Sequence, residues 1–440
     1  MKKETKLLFF LLTFCIGAYA QNKTLSLEEA VKYGVQNSKQ LKLSQNKIDA
    51  ALSQVEQIRD KTMPSVKASA GFSNALMLSQ SLTLPSANGD PKTIKLPFDN
   101  QLYLAGISVN EPIFDNHRFR YAKESANLLL EMSKLDADKD RDEIIYTIIS
   151  AYINYYKIQQ SQKVLAQNLV DIETKLEEIK KFENQGLATR NDVLTFELQQ
   201  SNIELLVLDL ESNYKIANYS MNILLGLPDS TDLQVEEVSY KLDGNSSFND
   251  YLAEALTGRK EFGTIKYEDR LADLNIKKVQ DEKLPTLGVS GNFYYINPTK
   301  NIIPKSGSYL APLLVGINIG WDVTSLFQNK NKMAEAKIRK QEVTNTRELI
   351  SDKIKTEVNQ NYRQYQTALN KIKILQTSVV KAMENERITE SKFHNNLATT
   401  TERIDAQTLL YQSRIQLELA KADATLAYYN LLNASGQIKF

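Results

Sequence analysis

The chain has 440 residues, 42% of them hydrophobic, with only 16 Gly and 10 Pro, a balance that suits long uninterrupted helices better than loop-rich folds. Lys and Arg number 54 against 53 Asp and Glu, a formal net charge of +1. Nucleic acid and anionic membrane surfaces are therefore not indicated as partners, since both need clustered basic residues.

The N-terminus reads as a targeting segment. Lys2, Lys3 and Lys6 precede an apolar run from Leu7 to Ile16, and Ala18-Tyr19-Ala20 supplies a small-x-small cleavage site before Gln21. Residues 1–20 are expected to be removed on export, and the 54 basic and 53 acidic residues fall to 51 and 52 as Lys2, Lys3, Lys6 and Glu4 leave. The single cysteine, Cys15, leaves with them. A lipid anchor on Cys15 is disfavoured by the bulky Phe14, and no disulfide, thiolate or cysteine metal site remains. Beyond Ala20 no apolar run approaches the ~20 residues of a membrane-spanning helix.

Leu27 to Lys61 has helical spacing, and Ser26 with Glu29 forms a capping box at its start. Pro64 marks its end, and the period then changes to two. Val66, Ala68, Ala70 and Phe72 alternate with Lys67, Ser69, Gly71 and Ser73. A second strand at Gln101 to Ile113 sets Tyr103, Ala105, Ile107 and Val109 against Leu102, Leu104, Gly106, Ser108 and Asn110. Between the two, Ser79 to Asn100 is a polar loop with Pro85, Asn88-Gly89, Pro91 and Pro97.

From Asp115 to Gly226 the spacing predicts a very long helix, a turn over residues 184–189, and a shorter returning helix. Ile145, Ile148, Tyr152, Tyr155, Ile158, Leu165, Leu169, Ile172, Leu176 and Ile179 form a coiled-coil seam. At ~1.5 Å per residue the outgoing helix is on the order of 100 Å long. Leu227 to Ser246 is a polar connector with Pro228 and Gly244, and a short strand is expected at Gln234 to Val238.

The second half repeats the first. Met63-Pro64-Ser65 returns as Leu284-Pro285-Thr286, Gly106-Ile107-Ser108-Val109 as Gly316-Ile317-Asn318-Ile319, Tyr152 and Tyr155 as Tyr362 and Tyr365, and Gly226 as Gly436. The turn Gly186-Leu187-Ala188-Thr189 corresponds to Asn396-Leu397-Ala398-Thr399. Strand parity survives: Leu287, Val289, Gly291 and Phe293, then Leu313, Val315, Ile317, Ile319 and Trp321, continue the apolar faces of the first pair. The second long helix, Ser325 to His394, has its seam at Ile350, Ile354, Val358, Tyr362, Tyr365, Leu369, Ile372, Leu375, Val379 and Met383. The shorter helices, Ser26 to Thr62 with Thr189 to Leu225, and Ser247 to Lys283 with Thr399 to Ala434, can stack end to end beside the long ones. The expected organisation is a signal peptide (1–20), a first repeat (21–226), a connector (227–246) and a second repeat (247–440).

Four strands with an apolar outside and Gly, Ser and Asn inside match an outer-membrane barrel, and Tyr103, Phe293, Tyr294, Tyr295 and Trp321 are placed to contribute to aromatic belts. Membrane barrels begin at about eight strands, and open edges are not tolerated in lipid, so several protomers must share one barrel.

With its two strand hairpins, its Leu-Pro-Thr and Met-Pro-Ser boundaries and the Gly-Leu-x-Thr-x-x-Asp turn from Gly186 to Asp192, the chain resembles the TolC-like outer-membrane efflux protein family over nearly all of its mature length. The resemblance implies a mainly α fold with a small β part, in which a homotrimer shares twelve strands and extends a helical tunnel across the periplasm. Residues 227–246 would be its equatorial region. The tips at Gly186, Leu187 and Thr189 and at Asn396, Leu397 and Thr399 would dock a periplasmic adaptor and, through it, an inner-membrane transporter. Glu402 and Asp405 match acidic residues that ring the narrow entrance of the tunnel. Ala398 and Phe393 stand where family latch residues can be an arginine and a tyrosine, so closure would rest on packing of Phe393 and Leu397 or on other polar contacts. The two acids equally suit the first turns of a helix, where they favour the macrodipole.

Other chemistry is thin. His117 and His394 lie in no metal-ligand spacing and read as solvated or interfacial side chains. The basic run Lys330 to Lys340 reads as a solvated helix face, and phosphate-loop and nucleophile motifs are absent. The expected function is a passive exit duct of a tripartite efflux or secretion system, not an enzyme, with no cofactor and no metal. A stand-alone porin and an exported coiled-coil structural or adhesive protein are the alternatives. A porin does not need helices of this reach, and a coiled-coil protein does not need matched strand pairs.

Overall fold

The structure, a computed structural model, describes residues 23–74, 81–84, 89–95, 101–238, 246–298, 309–438 and 440, so the expected signal segment lies outside the described residues. In chain order the elements are β1 (Lys23–Leu25), α1 (Leu27–Asn37), α2 (Lys39–Asp60), β2 (Ser65–Asn74), β3 (Ser81–Leu84), β4 (Lys92–Lys95), β5 (Gln101–Phe114), α3 (Arg118–Asn184), α4 (Arg190–Leu225), β6 (Leu233–Val235), α5 (Phe248–Gly258), α6 (Lys260–Asp281), β7 (Thr286–Pro298), β8 (Leu313–Gly320), α7 (Ser325–His394) and α8 (Thr400–Ala434). The fold is mostly helical with a small β part. It divides into two compact units, Met1–Gln45 with Leu135–Phe262 and Glu348–Phe440, and Asn46–Lys134 with Gly263–Arg347.

The core of the first unit follows from helical spacing. Ile145, Ile148, Tyr152 and Tyr155 of α3 pack with Leu25, Val31, Met221 and Leu225. Farther along, Leu165, Ile172, Leu176 and Ile179 pack on Val193, Phe196 and Ile203 of α4. On α7, Ile354, Val358 and Tyr365 pack with Tyr251, Ala255 and Leu431. The second seam departs from expectation at its end, where Met383 is exposed and Ala382 buried. Strict three-and-four alternation through Ile372, Leu375 and Val379 lands on Ala382, and register outweighs side-chain size.

Two buried tyrosines also read backbone. Tyr152 Oη donates to the Leu25 carbonyl at 2.8 Å and Tyr155 Oη to the Leu233 carbonyl at 2.7 Å. Gln159 donates to the same Leu233 carbonyl and accepts from the Val235 N–H. From α4, Asn218 and Asn222 each donate to the Thr231 carbonyl at 2.8 Å. These bonds hold the parallel pair of β1 and β6, whose own ladder is only three residues long. Burial pushes both tyrosine hydroxyls well above their ordinary range, so they remain donors at any working pH. Strand β1 was not expected, and β6 begins one residue earlier and ends three residues sooner than the alternation suggested.

The helices expected over Leu27 to Lys61 and Ser247 to Lys283 each break in two. Ser38 leaves the helical region at φ −57°, ψ 119°, and its hydroxyl accepts from the Leu41 N–H at 3.2 Å. Arg259 leaves it at φ −65°, ψ 129°. Neither break has a proline, which is why spacing alone missed them. Both seat the end of a returning helix. Asn37 Nδ2 donates to the Leu225 carbonyl at 2.8 Å, and Arg259 Nη1 to the Ala434 carbonyl at 2.9 Å, each satisfying a helix-end acceptor. Gly226 follows at φ 68°, and a Cβ there would stand 2.6 Å from that of Asn37.

In the second unit β2, β5, β7 and β8 form one antiparallel sheet in that order. Its register pairs Val66 with Val109, Ala68 with Ile107, Ile107 with Phe293, Val289 with Ile317 and Leu287 with Ile319. The apolar sets of all four strands therefore share one face, and Val66 (67%), Ile317 (71%) and Ile319 (75%) leave it exposed. The other face carries Lys67, Ser108 and Asn292 in register, and Ser290 beside Gly316. Among the described residues β2 and β8 are open edges. Pro112 sits in β5 past the last β2 pair, Ser65 with Asn110, where a missing N–H breaks no bond to that neighbour. The polar loop contains a short hairpin of β3 with β4 that its turn residues had hidden.

At the step from β5 into α3, Asn116 (φ 56°) and His117 (φ 60°) are both left-handed. His117 Nδ1 lies 2.9 Å from Asp281 Oδ2, which also accepts from Tyr121 Oη at 2.7 Å. His117 is thus interfacial, and its partner is a carboxylate of α6. Lys332, Arg339 and Lys340 of the basic run are paired with Glu282, Glu335 and Asp273.

Candidate functional site

The two helical turns of the first unit share one construction. After α3, the Gly186 N–H donates to the Glu183 carbonyl and the Leu187 N–H to the Phe182 carbonyl. After α7, Asn396 and Leu397 bond Phe393 and Lys392 in the same way. This pattern ends a helix through one left-handed residue, Gly186 at φ 73° and Asn396 at φ 59°, the residue types that tolerate it. A capping box follows at once. Thr189 Oγ1 accepts from the Asp192 N–H, and Asp192 accepts from the Thr189 N–H at 2.9 Å. Thr399 and Glu402 repeat the exchange at 3.2 and 2.7 Å. Of the consecutive Thr399, Thr400 and Thr401, it is Thr399 that caps α8. Leu187 and Leu397 are left standing 66% and 75% exposed at the tips.

The acidic pair divides its roles. Glu402 and Asp405 lie on the exposed side of α8, but the Glu402 carboxylate is engaged by Thr399, which holds it below the usual carboxylate range. Burial opposes ionisation of Asp192, and hydrogen bonds from Thr189 and Thr400 outweigh it and lower its pKa. Of the two residues expected to pack at a closed entrance, Phe393 packs into the core of α3 and α4 and Leu397 stands exposed in the single chain.

Over Phe393 lies a residue the sequence reading missed. The Arg403 guanidinium sits 4.4 Å from the Phe393 ring centroid, with its side chain only 2% exposed. Its Nε donates to Glu390 of α7 at 2.9 Å and its Nη2 to Glu178 of α3 at 2.6 Å. Lys175 of α3 meets Glu386 and Glu390 at 3.0 and 3.3 Å, and His394 Nε2 meets Glu390 at 3.1 Å. Burial disfavours the charges on Arg403 and Glu390, and their mutual bonds prevail, raising the arginine and lowering the glutamate. Spacing gave only a partial signal: Arg403 and Gln407 share a helical stripe with Leu410, and all three prove buried.

The sheet face holds the aromatic candidates unevenly. Tyr103, Phe293 and Tyr295 pair across strands with Phe72, Ile107 and Ala105, on the exposed apolar face. Tyr294 falls on the opposite face, its ring 3.3 Å from where a Cβ on Gly106 would stand, so it covers that glycine. Trp321 follows β8 and donates from Nε1 to the Lys283 carbonyl at 3.0 Å.

Among known proteins, the sequence profile of the family described as Outer membrane efflux protein matches residues 34–227 and 252–437. Outer membrane efflux protein BepC of Brucella suis is 23% identical over 341 residues, which cover 76% of this chain and 72% of that protein. The outer membrane protein VceC of Vibrio cholerae superposes with a TM-score of 0.74 at 16% identity, covering 93% of this chain and 96% of that one. The CmeC outer membrane channel of Campylobacter jejuni gives 0.74 at 13% identity over 93% and 85% of the two chains.

Proposed function

We propose, for a chain that belongs to the outer membrane efflux protein family, the role of outer-membrane channel in a tripartite efflux system, a passive duct across the periplasm opened by an adaptor and an inner-membrane pump. One observation carries this reading. The sheet register gathers the apolar residues of four strands on one exposed face and leaves two open edges, an arrangement that suits lipid only if other copies complete a barrel. Three copies would contribute twelve strands, each chain being two structural repeats joined by residues 227–246. The family consists of channels, and the chain has no catalytic role in this reading. Export would remove residues 1–20, with cleavage after Ala20. A stand-alone porin would leave the tips with nothing to dock, and an adhesive coiled coil would leave the lipid-type sheet face unexplained.

The turns around Gly186 and Asn396, with Leu187, Thr189, Leu397 and Thr399, are the adaptor-facing end. Grooves between neighbouring helical hairpins would receive the adaptor. Glu402 and Asp405 would ring the entrance. Deleting the gene should raise dye accumulation in the native host, and the intact chain should reverse it. A Gly186→Trp chain should insert normally without reversing it; unaltered export by that variant would remove this turn from docking. Glu402→Gln with Asp405→Asn keeps an N3 side chain able to cap while removing charge. Weaker cation preference and weaker multivalent-cation block in single-channel recordings are expected, and identical selectivity would return both acids to capping alone.

A further inference from the structure

The second unit holds a cavity that the channel role leaves unused. It measures about 450 Å³ and lies in a groove between the end of α2, the first turns of α3 and the C-terminal half of α6. Ile58, Phe119, Leu271 and Leu274 supply its apolar lining, and Lys61, Arg118 and Lys278 supply its charge. No carboxylate lines it, Asp60 beside Lys61 included. Asp115 instead accepts from the Phe119 N–H, Asp281 from Tyr121, and Glu282 pairs with Lys332. The three cations are exposed, and none has an ion-pair partner among the described residues. Like charges around one cavity repel one another, and an anion seated among them removes that cost. The near-neutral sum over the chain hides this cluster, because its members come from three elements distant in sequence.

The place of the cavity indicates which anion it suits. Helix α2 ends at Asp60 before β2 begins at Ser65, α3 begins at Arg118 after β5 ends at Phe114, and α6 ends at Asp281 before β7 begins at Thr286. All three cations therefore lie at one end of the sheet, where its strands meet the helices. The apolar face of the sheet reaches this end. Phe114 pairs with Leu287, a member of that face, and ring contacts run from Phe114 to His117 at 5.3 Å and from His117 to Tyr121, which lines the cavity, at 6.0 Å. An apolar slot beside a lipid-type face, rimmed by one arginine and two lysines, fits a headgroup phosphate with an attached acyl chain. The guanidinium can take two phosphate oxygens at once, and the lysines act as point charges. Basic pockets at a membrane border select acidic lipids in this way. A free phosphate would leave the apolar lining without a partner.

We propose that this cavity is a site for an acidic phospholipid of the periplasm-facing leaflet, its phosphate held by Lys61, Arg118 and Lys278 and its chain running along the apolar lining toward the sheet face. The inference rests on the channel reading above, which puts the sheet in lipid. The test is native mass spectrometry of the assembled protein in detergent, with phosphatidylglycerol and phosphatidylcholine of matched chains added together. The intact chain should keep phosphatidylglycerol over phosphatidylcholine by at least about tenfold. Lys61→Gln with Arg118→Gln and Lys278→Gln should erase that preference. Lys61→Arg with Lys278→Arg should keep it, as should Lys32→Gln with Arg141→Gln, which removes two exposed cations of the first unit. Equal retention of the two lipids by the intact chain, or a preference that survives the triple substitution, would overturn the proposal. Displacement of phosphatidylglycerol by an equal concentration of inorganic phosphate would show a phosphate site without a lipid and overturn it as well. As a second measurement that needs no substitution, phosphatidylglycerol with a photoreactive headgroup should label peptides holding Lys61, Arg118 or Lys278; labelling confined to other peptides contradicts the site. An assembled membrane protein without lipid preference ends this inference alone, whereas recovery of the chain as a soluble periplasmic protein ends the channel reading and the inference with it.

Discussion

The sheet of the second unit and the helical tips of the first are built with opposite polarity. In the sheet, isoleucine and valine side chains stand exposed while Ser, Asn and Gly take the other face. At the tips, an arginine and its glutamates are drawn inward while Leu187, Leu397 and charged side chains meet solvent. Neither departs from the ordinary distribution of residues by accident of composition, since both follow the local period of the chain: two in the strands, three and four in the helices. The contrast teaches that one chain is adapted to two surroundings. In the proposed channel the face of Val66, Ile107 and Ile317 would lie against hydrocarbon, whereas Arg403 with Glu178 and Glu390 is shielded by the surrounding helices.

The largest effect should come from reversing the sheet. Ile317→Arg puts a charge on the apolar face, which costs about 2–4 kcal/mol in each copy if that face lies at the middle of a bilayer. It should abolish recovery of an assembled protein from the outer membrane, whereas Asn318→Arg, one residue on and on the other face, should assemble. Equal recovery of the two would erase the distinction between the faces.

At the tips, Arg403→Met leaves the half-buried Glu178 and Glu390 without the guanidinium, Lys175 still standing 3.3 Å from Glu390, and should cost about 1–3 kcal/mol, read as a fall in the melting midpoint. Adding Glu178→Gln and Glu390→Gln should recover most of it. A loss under about 1 kcal/mol would reduce the Arg403 cluster to a surface ion pair. Next in size are the left-handed turns. Gly226→Ala combines a positive φ with a Cβ 2.6 Å from Asn37, and should cost more than the about 1–2 kcal/mol of the conformation alone. Gly186→Ala, where no atom lies within 4 Å of the added Cβ, should cost only the conformational part. Asn396→Gly should gain a few tenths of a kcal/mol.

The smallest effect is acid sensitivity of the capping boxes. Asp192 and Glu402 are held below their ordinary range in the folded chain, so their contribution is complete above that range and is lost as pH falls through their depressed folded values. The protection factors of the Thr189 and Thr399 amides, which donate to these two carboxylates, should therefore fall on acidification before those around Tyr152 do. Uniform loss of protection would contradict a local role.

Much of this was legible from spacing. Seams, strand parity and the two turns came from periodicity, because burial on one side of an element imposes its period on the residue types. What escaped was set by contacts distant in sequence. Asn37 before Ser38 and Gly258 before Arg259 are weak stop signals with no proline to reinforce them, and the breaks are fixed by where Leu225 and Ala434 end. Strand β1 is three residues long and depends on Tyr152 for support. Arg403 reads as a surface charge until Glu178, 225 residues away, is placed beside it. Tyr294 looked like a belt residue beside Phe293 and Tyr295, yet a pleat cannot put three consecutive side chains on one face.

The most direct test of the membrane reading is a nitroxide scan along β8, from Val315 to Ile319, in the assembled protein. Accessibility to oxygen should peak at Val315, Ile317 and Ile319, and accessibility to a water-soluble paramagnetic reagent should peak at Gly316 and Asn318. Equal access of the water-soluble reagent to all five positions would mean that the apolar face meets water, and the channel wall proposed here would not exist.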